Sequence, residues 1–152
     1  PALDERYIGY GKKSYKIING KKTNLKIRNN KKISDSILNT TSPYLFANKN
    51  DQSSFERLSG RVKLTRLGGD CYSYCLLADG HVDIVVESGL NPWDIRALEP
   101  IIINAGGILK TWDNKKILNG GRIIACSNNK IFNKCRIILD KKNPSKNKSK
   151  MG

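Results

Sequence analysis

The sequence predicts an α/β fold, a layered sandwich in which a mixed sheet lies between helices and is preceded by antiparallel strands. Strand-like and helix-like segments alternate between residues 35 and 139, an order typical of a sheet covered by helices. The first 28 residues differ, because apolar and polar side chains alternate there around Asn19-Gly20, a strong hairpin signal. The chain has 152 residues, 38% of them hydrophobic, which is enough for a buried core.

The segments before residue 69 are expected to form strands and one short helix. Residues 6–28 should be antiparallel strands, and the polar residues 29–36 should be a linker. A strand that runs into a Ser-Pro turn is expected over 35–46, a helix that ends at its glycine over 51–60, and a strand over 61–68.

The later segments return to the helix and strand alternation. Apolar residues recur at helical spacing over 68–80, and a buried strand should follow over 81–87. A helix over 92–107 should kink at Pro100, because proline removes a helical hydrogen bond. The remaining expected elements are strands over 108–112 and 121–127, joined by an Asp-Asn turn, and a helix over 130–139.

These elements divide the chain into three parts. Residues 1–32 hold the antiparallel strands, and residues 33–140 form the α/β domain. Residues 141–152 are expected to be a basic disordered tail, because the stretch 141–150 contains no apolar residue that could join a core.

The net charge of +15 and the pI near 9.8 are typical of a protein that contacts nucleic acid. The lysines are spread along the chain in pairs and are not concentrated in one motif. We therefore interpret them as solvated surface residues and expect nucleic acid to be an unlikely partner. No apolar run approaches the roughly 20 residues that a membrane helix needs, so no membrane partner is expected.

The four cysteines are spaced too poorly for a zinc site. Cys71, Cys75, Cys126 and Cys135 are predicted to be buried free thiols, which fits a reducing, cytoplasmic location. The single histidine, His81, lacks an apparent carboxylate partner in the site. It is not assigned a catalytic role, and neither is Cys71. Asp83 is expected to be a strand-edge residue and not a metal ligand.

Two carboxylates flank an Asn-Pro-Trp turn in the stretch "ESGLNPWD". Glu87 ends the predicted strand, and Asp94 follows Trp93 at the start of the predicted helix. A helix N-terminus favours negative charge and phosphate, and Mg²⁺ can join a carboxylate to a phosphate. The spacing alone equally allows a helix-start aspartate and a surface glutamate.

The stretch from Trp93 to Gly107 resembles the second signature of the inositol monophosphatase family, W-D-x-x-A-x-x-x-I-x-x-x-A-G-G. The segments G-G-D-C-Y, starting at Gly68, and A-x-G-H-V-D, starting at Ala78, resemble the histidinol-phosphatase branch of that family. The resemblance extends over about residues 1–130. It implies the C-terminal part of the inositol monophosphatase-like fold, with residues 1–32 contributing to the sheet of a first domain.

The resemblance implies hydrolysis of a small phosphate monoester with Mg²⁺, by direct attack of a metal-activated water. It assigns Asp94 as a metal ligand and Glu87 as a contact to the organic part of the substrate. It places Gly68, Gly69 and Asp70 beside the substrate at the start of a helix. Glu87 and Asp70 would suit a cationic substrate such as histidinol phosphate, in a pathway of histidine biosynthesis. A homodimer is expected for the full-length enzyme.

The first signature of the family, D-P-[ILV]-D-G-[ST], is absent from the sequence. We therefore expect this chain to be the C-terminal half of the enzyme, to lack its N-terminal half as a partner, and to be inactive alone. Pro1 is interpreted as a cut or processed start. Two alternatives stay open: a basic nucleic-acid-binding domain, or a degenerate remnant without activity.

Overall fold

A computed structural model describes residues 4–140. The expected disordered tail, residues 141–152, lies outside the described residues, as do residues 1–3. Among the residues that the structure describes, no helix is long and apolar enough to cross a membrane.

The elements follow the predicted order, with one helix divided. The strands are β1 (Glu5–Tyr10), β2 (Lys13–Ile18), β3 (Lys21–Asn24), β4 (Ile37–Thr40), β5 (Leu64–Leu67), β6 (Ile84–Leu90), β7 (Ile108–Thr111) and β8 (Gly121–Cys126). The α-helices are α1 (Lys49–Ser59), α2 (Asp70–Ala78), α3 (Pro92–Ile95), α4 (Glu99–Asn104) and α5 (Asn129–Asp140). Short 3-10 helices occupy Ile33–Asp35 and Pro43–Leu45.

The first three strands form an antiparallel sheet, as the sequence predicts. Its order is β1-β2-β3. Asn19 and Gly20 both have positive φ, 48° and 76°, which is the backbone conformation that a two-residue hairpin turn requires. The register pairs Tyr7 with Lys16 and Ile17 with Lys22. Helix α4 packs against β1 and β2, so this sheet shares a core with the rest of the chain.

The second sheet is mixed and lies between helices, which confirms the predicted fold class. Its order is β5-β4-β6-β8-β7, with β4 parallel to both β5 and β6, and β8 antiparallel to β6 and β7. Side chains alternate along β6: Ile84 and Val86 join the core under α1 and α5, and Val85 joins the core under α2 and α4. Alternation with period two buries both faces of this strand.

The connections around β4 place a crevice at one end of this sheet. The chain passes from β4 through α1 to β5, and then through α2 to β6 on the other side of β4. Helices α1 and α2 cover opposite faces of the sheet. The carboxyl end of β4 therefore lies where two connections diverge, which is the position where open α/β sheets bind ligands.

The expected single helix over 92–107 is wrong, because two short helices replace it. Pro100 cannot donate the N–H that a continuous helix would direct to the carbonyl of Arg96, and it instead stands in the first turn of α4. The chain makes a turn at residues 96–98 between α3 and α4. The proline therefore breaks the helix where the sequence predicted only a kink.

Two expectations about buried polar groups also need correction. Cys75, Cys126 and Cys135 are buried free thiols as predicted, but Cys71 is exposed in the first turn of α2. Asp83 is not a strand-edge residue, because it is fully buried just before β6. Its carboxylate accepts a hydrogen bond from the Ile37 N–H at 2.8 Å and pairs with Arg28 at 3.4 Å, so it joins β4 to the neighbouring strand.

Candidate active site

The residues that the sequence singles out meet at the carboxyl ends of three parallel strands. Thr40 ends β4, the Gly68-Gly69-Asp70 turn follows β5, and Glu87 lies within β6. Because β4 stands between β5 and β6, the turn and Glu87 lie on either side of the same strand end. Asp94 follows β6 across a short loop.

Glu87 is held by hydrogen bonds to the end of β4. Its Oε1 accepts from the N–H of Thr41 at 2.6 Å and from the hydroxyl of Thr41 at 2.9 Å, and its Oε2 accepts from the hydroxyl of Thr40 at 3.1 Å. The residue is only 5% exposed, so the interpretation as a surface glutamate is wrong. Burial raises the pKa of Glu87, the three threonine donors oppose that change, and the charge of Asp70 adds to it.

The Gly68-Gly69-Asp70 turn depends on its two glycines. Gly68 has φ +84°, a conformation that favours glycine, and its N–H donates to the carbonyls of Thr40 and Thr41 at 3.2 and 2.9 Å. A Cβ on Gly69 would collide with the hydroxyl of Ser73. The turn is therefore fastened to the end of β4 and packed closely on α2.

Asp70 begins α2 in a left-handed conformation, with φ +44°. Aspartate adopts this conformation more readily than most residues, but it is still uncommon and costs free energy. The side chain is exposed. The structure therefore presents this carboxylate at the start of a nine-residue helix, across the end of β4 from the buried Glu87, whose pKa its charge helps to raise.

Tyr74 lies one helical turn after Asp70 and is 3% exposed. Its hydroxyl has no hydrogen-bond partner among the described residues. Burial raises the pKa of this phenol well above its usual value, and the charges of Glu87, Asp70 and Asp94 raise it further. The charges of these three carboxylates, which we call the acidic cluster, therefore all act on one buried phenol. Sequence reasoning took Tyr74 only as a core residue at helical spacing; its position four residues after Asp70 was the available signal.

Asp94 is exposed, and one of its oxygens is already engaged. Its Oδ2 accepts a hydrogen bond from the N–H of Asn91 at 2.8 Å, which closes the first turn of α3. That helix has four residues, so the expected long helix beginning near Asp94 is not formed and little helix dipole acts on this carboxylate. Trp93 is 75% exposed and does not enclose the site.

His81 and Cys71 stand apart from these residues. The Nε2 of His81 is 3.3 Å from Asp79, which also pairs with Lys16 of β2. This group joins the end of α2 to the first sheet, so its geometry favours a structural role. Cys71 is exposed, and no hydrogen bond joins it to the acidic cluster within residues 4–140.

Comparison with known proteins agrees with this arrangement. Residues 1–142 match the sequence model of one enzyme family. This chain belongs to the inositol monophosphatase family. It is 42% identical over 118 residues to the bifunctional phosphatase IMPL2, chloroplastic, of Arabidopsis thaliana, covering 78% of this chain and 33% of that protein. It is 39% identical over 71 residues to a histidinol-phosphatase of Mycobacterium tuberculosis, covering 47% of this chain and 27% of that protein.

Solved structures of inositol monophosphatases share the fold. An inositol monophosphatase from Zymomonas mobilis matches with a TM-score of 0.74 and 32% identity, over 85% of this chain and 53% of that one. An IMPase/NADP phosphatase solved with Mg²⁺ and phosphate matches with a TM-score of 0.66 and 22% identity, over 86% of this chain and 51% of that one. The chain spans about half the length of these solved relatives and a third or less of the curated relatives named above.

The family implies a metal, and the residues of this chain fit only part of a metal site. Within residues 4–140, no group of three or more His, Cys, Asp or Glu side chains could hold a metal ion. The threonines donate two hydrogen bonds to Oε1 of Glu87 and one to Oε2, so only Oε2 keeps a lone pair for another partner. Mg²⁺ prefers six oxygen ligands, several of them waters, and Asp94 could supply one of these but not a site.

Proposed function

We propose that this chain forms the substrate-binding half of a Mg²⁺-dependent phosphate monoester hydrolase whose substrate carries a positive charge, as histidinol phosphate does. The observation that carries the proposal is the placement of Glu87 in β6 and Asp70 after β5, on either side of the end of β4. Two carboxylates thus flank a ligand-binding position in a chain with a net charge of +15.

The charge of the cluster favours a cationic substrate over a neutral polyol. A buried carboxylate such as Glu87 is stabilised when a cation approaches it, because burial has removed most of its solvent. An inositol ring offers hydroxyl groups but no positive charge. The relatives named histidinol-phosphatase, at 32–39% identity, agree with this preference.

Each residue then has a separate task in binding. Glu87, oriented by Thr40 and Thr41, faces the organic part of the substrate. The Gly68-Gly69-Asp70 turn brings backbone and a second carboxylate to the same part. Asp94 supplies one oxygen to Mg²⁺, since its Oδ1 makes no hydrogen bond within residues 4–140. The remaining ligands would come from the first signature of the family, which this chain lacks.

The same reasoning predicts that the chain alone releases no phosphate. The test is phosphate release from histidinol phosphate with millimolar Mg²⁺, by the chain alone and by the chain mixed with a separate N-terminal half from a related enzyme. We expect activity only in the mixture, loss of that activity with Asp94→Asn, and slower release from inositol 1-phosphate.

Three results would contradict the proposal in different ways. Turnover by the chain alone that Asp94→Asn abolishes would show that the half-site interpretation is wrong. An active mixture that prefers inositol 1-phosphate would refute the cationic substrate. A mixture that forms but stays inactive would favour the degenerate remnant. Sedimentation of the active mixture would test the expected homodimer.

We also propose a cytoplasmic location, which the four free thiols suit.

A further inference from the structure

The backbone that carries Glu87 lies where the regular pairing of β6 ends. The register of β6 with β4 pairs residues as far as Val85, and the register with β8 shifts between Glu87 and Leu90. Such a bulge takes residues out of the regular ladder, and Gly89 within it has φ +86°. The position of the Glu87 carboxylate therefore depends on the contacts of the side chains around it.

Ser88 and Asp51 form a buried hydrogen bond on the face of the sheet opposite Glu87. Successive side chains of a strand point to opposite faces, and Ser88 points to α1. Its Oγ donates to Oδ2 of Asp51 at 2.5 Å and accepts from the N–H of Ala47 at 3.3 Å. Ser88 is 5% and Asp51 3% exposed, and Oδ1 of Asp51 lies 3.7 Å from Nη1 of Arg122. A buried carboxylate is costly unless it is paired, and this pairing joins α1 to both β6 and β8.

Two consecutive residues of β6 thereby fasten both ends of one loop, residues 41–47. Glu87 binds the start of the loop through the N–H and the hydroxyl of Thr41. Ser88 binds its end through the N–H of Ala47. Because both contacts come from adjacent residues of one strand, a shift of Ser88 moves the loop and Glu87 relative to each other.

We propose that Ser88 and Asp51 are positioning residues of the binding site, which keep Thr41 within hydrogen-bonding distance of Glu87. Both lie on the face of the sheet opposite Glu87, so they act through this carboxylate and not on the substrate. The inference rests on the proposed function, in which Glu87 contacts the organic part of the substrate, and deepens it by naming the residues that orient Glu87. A merely structural role would lower the stability of the chain without a local effect at Thr41.

The experiment is hydrogen exchange measured by NMR on the 152-residue chain. Two amides of the β4 region donate to buried carboxylates, Thr41 to Glu87 at 2.6 Å and Ile37 to Asp83 at 2.8 Å. The exchange ratio is the rate of the Thr41 amide divided by that of the Ile37 amide, so global unfolding affects both rates alike. Ser88→Ala should raise this ratio about tenfold, the factor that corresponds to one lost hydrogen bond.

Further variants separate positioning from a loss of packing. Asp51→Ala should raise the exchange ratio as Ser88→Ala does, whereas Asp51→Asn keeps an oxygen for the Ser88 hydroxyl and should behave like wild type. Ser54→Ala is the matched control, because Ser54 is also buried on α1 and accepts a hydrogen bond from Arg57 of the same helix at 2.8 Å. This control should leave the exchange ratio unchanged.

An exchange ratio that stays unchanged in Ser88→Ala overturns the inference, and so does an equal rise in Ser54→Ala. If Ser88→Ala does not fold, Asp51→Ala against Asp51→Asn decides by the same ratio, and equal ratios in these two variants overturn the inference. In the mixture with an N-terminal half, Ser88→Ala should raise the KM for histidinol phosphate more than it lowers kcat, and a lower kcat with unchanged KM overturns it. An inactive mixture counts against the proposed function, whereas the exchange ratio tests the positioning of Glu87 without any activity.

Discussion

Replacing Glu87 with glutamine should change how the stability of this chain depends on pH. The carboxylate is 5% exposed and accepts three hydrogen bonds from Thr40 and Thr41. Hydrogen bonds to charged groups are worth about 1.5–3 kcal/mol each, whereas burying an ion costs several kcal/mol. The raised pKa of Glu87 means that the free-energy cost of burying the carboxylate is larger than the stabilisation by its three hydrogen-bond donors.

The raised pKa of Glu87 determines whether ionisation of this carboxylate stabilises or destabilises the fold. A raised pKa means that the folded state binds the proton more tightly than the unfolded state, for which the ordinary value is 4.5. Wild type therefore loses stability as the pH rises from 4.5 through the folded pKa, and the loss persists at neutral pH. Glutamine cannot ionise, so the stability of Glu87→Gln relative to wild type should increase over the same range. Each tenfold difference in proton affinity is worth about 1.4 kcal/mol, or about 3–6 °C in Tm for a chain of this size.

The assay is thermal unfolding by circular dichroism between pH 4 and pH 8, with Glu56→Gln as the control at an exposed site on α1. The difference in Tm between Glu87→Gln and wild type should increase with pH, and the control should follow wild type throughout. If Glu87→Gln is destabilised by the same amount at every pH, then burial does not dominate the free energy of this carboxylate and the reasoning is refuted.

Further expected outcomes concern the site loop and the core. In the mixture with an N-terminal half, Glu87→Gln should raise the KM for histidinol phosphate more than it lowers kcat, because we propose that the carboxylate contacts the organic part of the substrate. Asp94→Asn should lower phosphate release by orders of magnitude yet cost at most about 1 kcal/mol in thermal unfolding, since asparagine keeps an acceptor for the Asn91 N–H; unfolding of this variant would make Asp94 structural. Trp93→Ala should cost less than about 1 kcal/mol because the indole is 75% exposed. Phe132→Ala should cost about 3–5 kcal/mol in urea unfolding, since Phe132 is 1% exposed in the core; equal effects of the two aromatic variants would contradict the burial pattern.

Local sequence patterns predicted the parts of the fold that depend on neighbouring residues. The Asn19-Gly20 turn has the positive φ values that its residue types favour, and the apolar run in β6 is buried on both faces. The same local reasoning was incomplete at Pro100, because the pattern shows that a proline interrupts a helix but not whether the neighbouring turn keeps helical geometry. It also could not show that Trp93 is exposed, since exposure depends on what packs over the loop.

The sequence by itself determined the order of the elements and the type of each sheet and predicted the candidate site residues, because periodicity, turn chemistry and the W-D-x-x-A signature all act over short distances along the chain. Only the tertiary structure decided the state of those residues. Glu87 meets Thr40 and Thr41, which lie 47 and 46 positions away in the sequence, across β4 and β6. Burial in the packed structure raises its pKa, although the threonine donors oppose that change. The Tyr74 phenol has no hydrogen-bond partner within residues 4–140, and burial together with charges distant in the sequence raises its pKa. Desolvation and electrostatic coupling depend on distance in space, and distance in space is set by the packed sheet and helices.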